Sequence, residues 1–313
     1  MRTATRPGHL WGAVFVLAAS VLWGTTGTAA TFAPGVGPLA IAAVAMGLGG
    51  LLQAALGARL IRAHAAFLRG EWRTLILGSL AVATYPLAFY SSMHLAGVAV
   101  GTVVSIGSAP LASAVIERIM DRRRFTRRWA VGAVLGLTGA VLLCFAGTGQ
   151  GLHLSSTAAA WSAAAGIGLG LLAGLTYAFY SWAAHRLINT GLPSTAAMGA
   201  VFGIGGLLLM PVLAITGASL IASWQNFAVG AYMALVPMFA GYVLFGWGLA
   251  RVHASTATTI SLAETVVAAV LAVLVVGERL PALAWAGAAL VAGSLFVMTL
   301  PSPGSRSVLR SST

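Results

Sequence analysis

Long runs of apolar residues, separated by short polar junctions, form the main pattern along the chain. Four stretches, 7–58, 74–116, 129–185 and 187–250, contain no Asp, Glu, Lys or Arg, and each is 43 to 64 residues long. A helix needs about 20 apolar residues to cross the hydrocarbon core of a bilayer, so each stretch holds two spans and a turn. The remainder, 252–305, divides at the turn signal Gly277-Glu278-Arg279-Leu280-Pro281 into a fifth pair.

Ten membrane-spanning helices are therefore predicted. Their ranges are 10–30, 38–58, 74–95, 98–118, 129–147, 161–184, 194–216, 227–249, 253–276 and 282–300. Helices are expected because lipid offers backbone groups no partner and the segments lack the alternating pattern of barrel strands. The composition agrees, since 59% of residues are hydrophobic and only 7% are charged, whereas soluble domains devote roughly a quarter to charge. The sequence predicts an all-α integral membrane protein.

The arginines indicate how the spans are oriented. If the charged junctions between helix pairs share one side, that side holds sixteen of the 17 arginines and the other side holds only Arg279. The sixteen are Arg2, Arg6, Arg59, Arg62, Arg69, Arg73, Arg118, Arg122, Arg123, Arg124, Arg127, Arg128, Arg186, Arg251, Arg306 and Arg310. Basic loops stay in the cytoplasm, so both termini are predicted to be cytoplasmic and the protein to lie in the inner (cytoplasmic) membrane. The net charge of +12 comes from these arginines at the ends of the spans, so it does not indicate nucleic acid binding.

A repeat is present within the ten spans. A constant shift of 154 residues places Leu95-Ala96-Gly97-Val98 on Leu249-Ala250-Arg251-Val252, Ser105 on Thr259, and Trp23 on Tyr177. The predicted halves are residues 1–150 and 151–313. Because each half has an odd number of spans, the second half must be inverted relative to the first. Inverted repeats are the architecture of alternating-access carriers, whose substrate site lies near the membrane midplane.

Several short motifs resemble a known family. They are Ala109-Pro110-Leu111 ahead of an acid-containing turn, Glu264, Gly277-Glu278-Arg279-Leu280 and Trp285-x-Gly287. With ten spans in two halves, residues 10–300 resemble the EamA family of the drug/metabolite transporter superfamily. The resemblance implies export of amino acids and small amphipathic metabolites, and is nearest to the YddG-type amino-acid exporters. One departure is that the family's Glu-Pro dipeptide in the ninth span reads Glu264-Thr265, which removes the helix-breaking proline.

Polar side chains in the fourth and ninth predicted spans are candidates for the substrate site. Glu264 is the only acid placed well inside a span, where an unpaired carboxylate is costly. Ser261 lies near it, and the repeat makes Ser105 equivalent to Thr259, with Ser108 one turn further on. The alternative for the hydroxyls is that they bond back to their own helices, and for Glu264 that it is a neutral structural acid.

Aromatic residues inside spans are the second set of candidates, and they are Trp23, Tyr85, Tyr177, Tyr180, Tyr242 and Trp247. The equivalent pair Trp23 and Tyr177 is predicted to fall on opposite sides of the midplane, as two gates. Core packing is the competing interpretation.

The chemistry of these residues favours a neutral or zwitterionic substrate with an apolar or aromatic body. No arginine is placed inside a span, which counts against phosphorylated substrates.

A proton is the expected coupling ion, and no cofactor or metal is expected. A drug-like compound or a nucleobase remains an alternative substrate, and import an alternative direction. An intramembrane enzyme is a remote alternative because acidic metal clusters and a Gly-x-Ser-x-Gly motif are lacking. A scaffold without a central cavity is a third class.

Overall fold

Ten long helical segments make up the fold, which a computed structural model describes for residues 6–148, 157–277 and 279–299. We number them as spans 1 to 10. Span 1 is Arg6–Gly24 with Thr26–Thr31, span 2 is Pro38–Ala42, Ala43–Leu48 and Gly49–Ala63, span 3 is Trp72–Ala96, span 4 is Val98–Met120, span 5 is Arg127–Thr148, span 6 is Thr157–Asn189, span 7 is Ser194–Thr216 with Gly217–Leu220, span 8 is Trp224–Met233, Ala234–Ala240 and Gly241–Leu249, span 9 is Ala254–Ile260, Ala263–Leu271 and Ala272–Val276, and span 10 is Ala282–Thr299. A short helix, Ala65–Gly70, connects spans 2 and 3.

The all-α membrane fold predicted from the sequence is confirmed. Within the described residues, nine of these segments are long and apolar enough to cross a membrane. Span 5, with 22 residues, is the remaining long helix. Arg2, Arg306, Arg310 and Glu278, which contributed to the predicted orientation or turn, lie outside the described residues.

Spans 2, 8 and 9 are not uniform α-helices. Each contains a π-helical segment, in which the backbone is wound more loosely: Ala43–Leu48, Ala234–Ala240 and Ala272–Val276. Pro237 lies inside the second of these, where its missing N–H accounts for the irregular winding. Loosely wound turns free backbone carbonyls inside the membrane.

Neighbouring spans follow the internal repeat. Span 2 packs on span 7, span 4 on span 9, and span 5 on span 10, so each of these pairs joins a helix to its own equivalent. Span 3 packs on span 6, and the equivalent contact is made by span 8 on span 1. The pattern is unchanged when the halves are exchanged, as a pseudo-two-fold arrangement requires.

Glycines allow two of these interfaces to be tight. A Cβ on Gly139 of span 5 would lie 2.6 Å from the carbonyl oxygen of Gly287 in span 10, and a Cβ on Gly287 would lie 2.6 Å from the oxygen of Gly139. A Cβ on Gly199 of span 7 would lie 2.7 Å from the oxygen of Gln53 in span 2. Small residues therefore bring the two halves into close backbone contact along both seams.

The arginine-bearing junctions gather at one end of the helix bundle. Arg123, which follows span 4, reaches Ser255 at the start of span 9, and Arg186 of span 6 lies near Glu71 before span 3. Arg251, between spans 8 and 9, lies over the ring of Phe15 in span 1. We call this the arginine-rich end, and its cytoplasmic orientation remains a prediction. At the opposite end, Gln225 Nε2 donates to the Phe32 oxygen at 2.7 Å.

Candidate functional site

Five of the six predicted aromatic residues meet in one buried cluster where the two halves join. Trp23 comes from span 1, Tyr85 from span 3, Tyr177 and Tyr180 from span 6, and Tyr242 from span 8. Ring centroids are 4.8 Å apart for Trp23 and Tyr242, 5.5 Å for Tyr85 and Tyr177, and 5.3 Å for Tyr177 and Tyr180.

Two phenylalanines complete this cluster, which we call the aromatic layer. Phe245 of span 8 lies 5.1 Å from Trp23, and Phe202 of span 7 lies 4.5 Å from Tyr242, measured between ring centroids. Both phenylalanines are fully buried. The sequence analysis missed them because a phenylalanine in an apolar span has no polar atom to mark it, so only its ring neighbours reveal its role.

The polar atoms of the aromatic layer bond within the described protein, with the exception of the Tyr85 hydroxyl. The Trp23 indole donates to the oxygen of Pro237 at 2.9 Å, and that carbonyl belongs to the π-helical segment of span 8. The hydroxyls of Tyr180 and Tyr242 share a hydrogen bond of 2.6 Å. Tyr177 donates to the Ser261 hydroxyl of span 9 at 2.9 Å. These bonds and the packed rings together make the aromatic layer a continuous contact between the two halves.

The prediction of two separated gates at Trp23 and Tyr177 is wrong. Their rings are in edge contact, with centroids 6.4 Å apart and planes at 86°. The shift of the repeat equates their sequence positions, but both rings reach the axis between the halves, where they belong to a single layer.

Glu264 lies on span 9 where that span is interrupted. The helix Ala254–Ile260 ends, a turn follows at Ser261 and Leu262, and Glu264 is in the first turn of the next helix. The interruption occurs without the proline whose absence the sequence analysis noted. Its backbone bonds connect residues three apart, as in Leu262 N to Thr259 O and Thr265 N to Leu262 O. Ser261 and Thr265 also donate from their side chains to their own helix, a contact that bends helices.

The Glu264 carboxylate is half-buried, and no hydrogen bond or ion pair to it occurs within the residues the structure describes. It lies close enough to Tyr85, Tyr90, Tyr177 and Tyr242 to interact with them electrostatically. An acid that has tyrosines within electrostatic range and no protein partner among the described residues can be neutralised by a proton or by a bound cation.

The hydroxyls predicted beside Glu264 divide into two kinds. Thr259 donates to the Ser255 oxygen at 2.7 Å, and Ser261 donates to the Thr258 oxygen at 2.9 Å, so both bond back to their own helix. The Ser105 hydroxyl of span 4 is fully buried without a hydrogen-bond partner in the described protein, and Ser108 makes a single long bond of 3.3 Å to the Ser105 oxygen. Span 4 therefore has more spare hydrogen-bonding capacity than span 9.

Trp247 stands apart from the other predicted residues. Its ring packs against Phe15 with centroids 5.4 Å apart, and it is 39% exposed on the outside of the bundle. Its predicted contribution to the substrate site receives no geometric support. Within the described residues, no three His, Cys, Asp or Glu side chains lie close enough together to hold a metal ion.

The sequence analysis also missed a buried acid at the arginine-rich end. Glu117 of span 4 is 1% exposed, and its carboxylate pairs with Arg123 at 2.6 Å. Glu117 lies near the end of a predicted span, where a charge at the membrane interface needs no special explanation. The sequence carries no further signal, because its partners come from the following loop and from span 9.

Comparisons with known proteins agree with this architecture. The sequence pattern of the EamA-like transporter family matches residues 10–145 and again residues 164–300, so each half carries one copy. The chain is 33% identical over 287 residues to the "Uncharacterized transporter YwfM" of Bacillus subtilis (strain 168), which covers 91% of this chain and 93% of the relative. A solved structure, "Crystal structure of protein", aligns with a TM-score of 0.74 at 20% identity, over 91% of this chain and 95% of that chain.

The matched segments coincide with the two halves that pack as equivalents, and together they span most of the chain. The chain belongs to the EamA-like transporter family.

Proposed function

We propose that this transporter exports amino acids or other small neutral or zwitterionic amphipathic metabolites by alternating access. The observation that carries the proposal is Glu264, a half-buried acid that has Tyr85 and Tyr177 within electrostatic range and no partner in the described protein. A carboxylate kept inside a membrane at such cost is a functional group by default.

Each part of the substrate has a counterpart in the site. An ammonium group would bind Glu264 and the faces of Tyr85 and Tyr177. The apolar body would rest on the aromatic layer. A carboxylate would accept from the spare hydroxyls of Ser105 and Ser108. The site has rings, hydroxyls and one acid, but the described arginines lie at span ends or in junctions, which disfavours phosphorylated substrates.

The predicted halves, residues 1–150 and 151–313, would move as the two rocking units. In this proposal Glu264 exchanges a proton for the substrate ammonium, which makes the proton the coupling ion. The expected direction, and the closer similarity to YddG-type exporters, rest on the sequence resemblance.

Exchange in proteoliposomes tests the substrate class. Purified protein is reconstituted with an internal pool of one unlabelled neutral amino acid, and uptake of radiolabelled leucine, phenylalanine, threonine and alanine is measured. At least one of them should exchange well above the rate in empty liposomes. Flux that equals empty liposomes across the whole panel would overturn the amino-acid assignment, and exchange of a nucleobase or a drug-like cation alone would replace it with that class.

The variant Glu264→Gln tests the role of the acid. Exchange should fall by at least about tenfold, because an amide cannot pair with an ammonium or release a proton. Glu71→Gln is the matched control, since Glu71 is a partly exposed acid at the arginine-rich end. If Glu264→Gln and Glu71→Gln exchange equally well with the same pH dependence, Glu264 is a packing residue.

A further inference from the structure

A buried polar contact joins the two halves at the arginine-rich end. Glu117 Oε1 accepts from the Ser255 backbone N–H at 2.8 Å, and Glu117 Oε2 accepts from the Ser255 hydroxyl at 2.8 Å. Arg123 donates to Glu117 Oε2 at 2.6 Å and to the Ser255 hydroxyl at 3.3 Å. We call these three residues the latch. Glu117 and Ser255 are both almost fully buried.

The bonds of the latch divide into two groups. The ion pair between Glu117 and Arg123 lies within the first half, because these residues are six positions apart at the end of span 4. The three bonds to Ser255 connect that end of span 4 to the start of span 9 in the second half. Within the latch, separating the halves at this end breaks only the bonds to Ser255. Arg123 still neutralises Glu117 after they break, so opening does not leave an unpaired carboxylate in the bundle.

Two further contacts hold the same end. Trp129 of span 5 donates from its indole to the Ser255 oxygen at 3.2 Å. Trp182 of span 6 donates from its indole to Asp121, in the loop after span 4, at 2.8 Å. Spans 4, 5, 6 and 9 therefore meet around the latch.

The residues equivalent to the latch, at the opposite end, lack its side-chain chemistry. The shift of 154 residues makes Glu117 equivalent to Leu271, Arg123 to Gly277 and Ser255 to Gly101. These residues cannot form an ion pair or a side-chain hydrogen bond to one another. Among the described residues, no hydrogen bond or ion pair joins the end of span 9 to the start of span 4. In the part of the chain that the structure describes, the packing of the spans is symmetric, but this polar contact occurs at one end only.

We infer that Glu117 is a positioning residue that holds the transporter closed at its arginine-rich end, and that releasing Ser255 from it is the step that opens this end. The inference rests on the proposed alternating access. Glu117 acts through span 9, whose position it fixes, and contacts no residue of the aromatic layer. The asymmetry makes the conformation closed at the arginine-rich end the resting one. Substrate can enter from this end only after the bonds between Glu117 and Ser255 have broken.

Cysteine labelling in membranes tests this inference without any substrate. The single cysteine is replaced first, as Cys144→Ser. Ser113→Cys then reports on the arginine-rich end, because Ser113 is fully buried at the seam of spans 4 and 9, where Thr258 donates to it at 3.2 Å. Ala268→Cys reports on the opposite end, because it lies one turn beyond Glu264 on the same helix face. A membrane-impermeant maleimide is added from the corresponding side in each case.

Glu117→Gln should raise the labelling rate of Ser113→Cys by about tenfold and lower that of Ala268→Cys, because it removes the charge from the bonds to Ser255. Ser255→Ala, which keeps the backbone bond, should give a smaller change of about threefold in the same directions. Glu71→Gln should change neither rate. The opposite responses of the two reporters distinguish a shift between conformations from general loosening.

Two results overturn the inference. The first is unchanged labelling of Ser113→Cys in both latch variants, and the second is an increase at both reporters, which shows a structural role only. If Glu117→Gln does not fold, Ser255→Ala decides alone, since it removes one hydroxyl. A failed amino-acid exchange assay would not affect either result, because labelling needs no substrate.

Discussion

The two ends of span 9 are packed in opposite ways. Every residue of its first segment, Ala254–Ile260, is buried. In its last segment, Ala272–Val276, Leu274 is 75% exposed and Val275 is 51% exposed. In span 4 the ends differ in a polar residue and not in apolar exposure: Glu117 is buried at the arginine-rich end, while Ile119 at that end is 67% exposed and Val98 at the other end is 64% exposed.

This difference indicates that the structure is closed at the arginine-rich end and looser at the opposite end. Apolar packing alone would treat the ends alike, because the repeat gives both ends the same helices. The buried polar contacts differ between the two ends. In alternating access, contacts between the halves form at one end as contacts at the other end break. Side chains that differ between equivalent positions of the two halves therefore decide which conformation is favoured in the absence of substrate.

The largest effect is expected from cross-linking the closed seam. In the Cys144→Ser background, the pair Ser113→Cys and Thr258→Cys should form a disulfide readily, since the two hydroxyl oxygens are 3.2 Å apart. The bond would fix the arginine-rich end closed and abolish exchange of any substrate found, and reduction should restore it. Peptide mapping detects the cross-link.

The equivalent pair on the other side of the repeat is the control. Val104 and Val267 correspond to Ser113 and Thr258 with the halves exchanged. Val104 packs near Gly170 of span 6, whereas Val267 packs near Gly24 of span 1, so their side chains face different helices. Cysteines at these positions should cross-link far more slowly. Equal rates for the two pairs would show that the ends do not differ.

A smaller effect is expected from filling the contact between span 1 and span 9. A Cβ on Gly24 would lie 2.6 Å from the Val267 Cβ and 2.8 Å from the backbone carbonyl oxygen of Glu264. Gly24→Ala must therefore displace the backbone of span 1 or span 9. We expect a loss of about 1–3 kcal/mol in stability, measured as a lower melting temperature in detergent.

Gly27→Ala is the matched control, three residues further along span 1 towards the opposite end. A Cβ there would meet no atom within 4 Å. Its only expected effect is the gain of about 0.5–1 kcal/mol that alanine has over glycine in a helix. A loss of stability in Gly27→Ala equal to that of Gly24→Ala would contradict the looser packing of that end.

Most of the fold could be predicted from the sequence, because the physical rules for spans are strong. Charge-free stretches and the turn at Gly277 are sufficient to place ten spans, since a bilayer permits few alternatives. That the rings of Trp23, Tyr85 and Tyr177 lie inside spans could be predicted, but their gathering in one layer could not, because the repeat suggested that Trp23 and Tyr177 lie apart. The cost of an acid in lipid singled out Glu264 as a candidate, and its part in a substrate site stays a prediction.

The parts that could not be predicted depend on how helices meet. The latch needs a residue from span 4, one from a loop and one from span 9, and no sequence spacing connects them. Trp247 lies inside a span like Tyr242, but five residues place it on another face of the helix. The break in span 9 was missed because the proline is absent, although Ser261 and Thr265 supply the same bend through their side chains.

The smallest effect is expected from Tyr177→Phe, which tests whether the aromatic layer is tied to the break in span 9. The substitution keeps the ring and removes the hydrogen bond of 2.9 Å to Ser261. Ser261 still donates to the Thr258 oxygen, so no buried donor is left unpaired and the loss should be about 0.5–1.5 kcal/mol. Tyr85→Phe is the control, because no hydrogen bond of the Tyr85 hydroxyl occurs within the described residues, and its melting temperature should not change. A loss in Tyr85→Phe equal to that in Tyr177→Phe would mean that the layer is held by its rings alone and that span 9 can move without it.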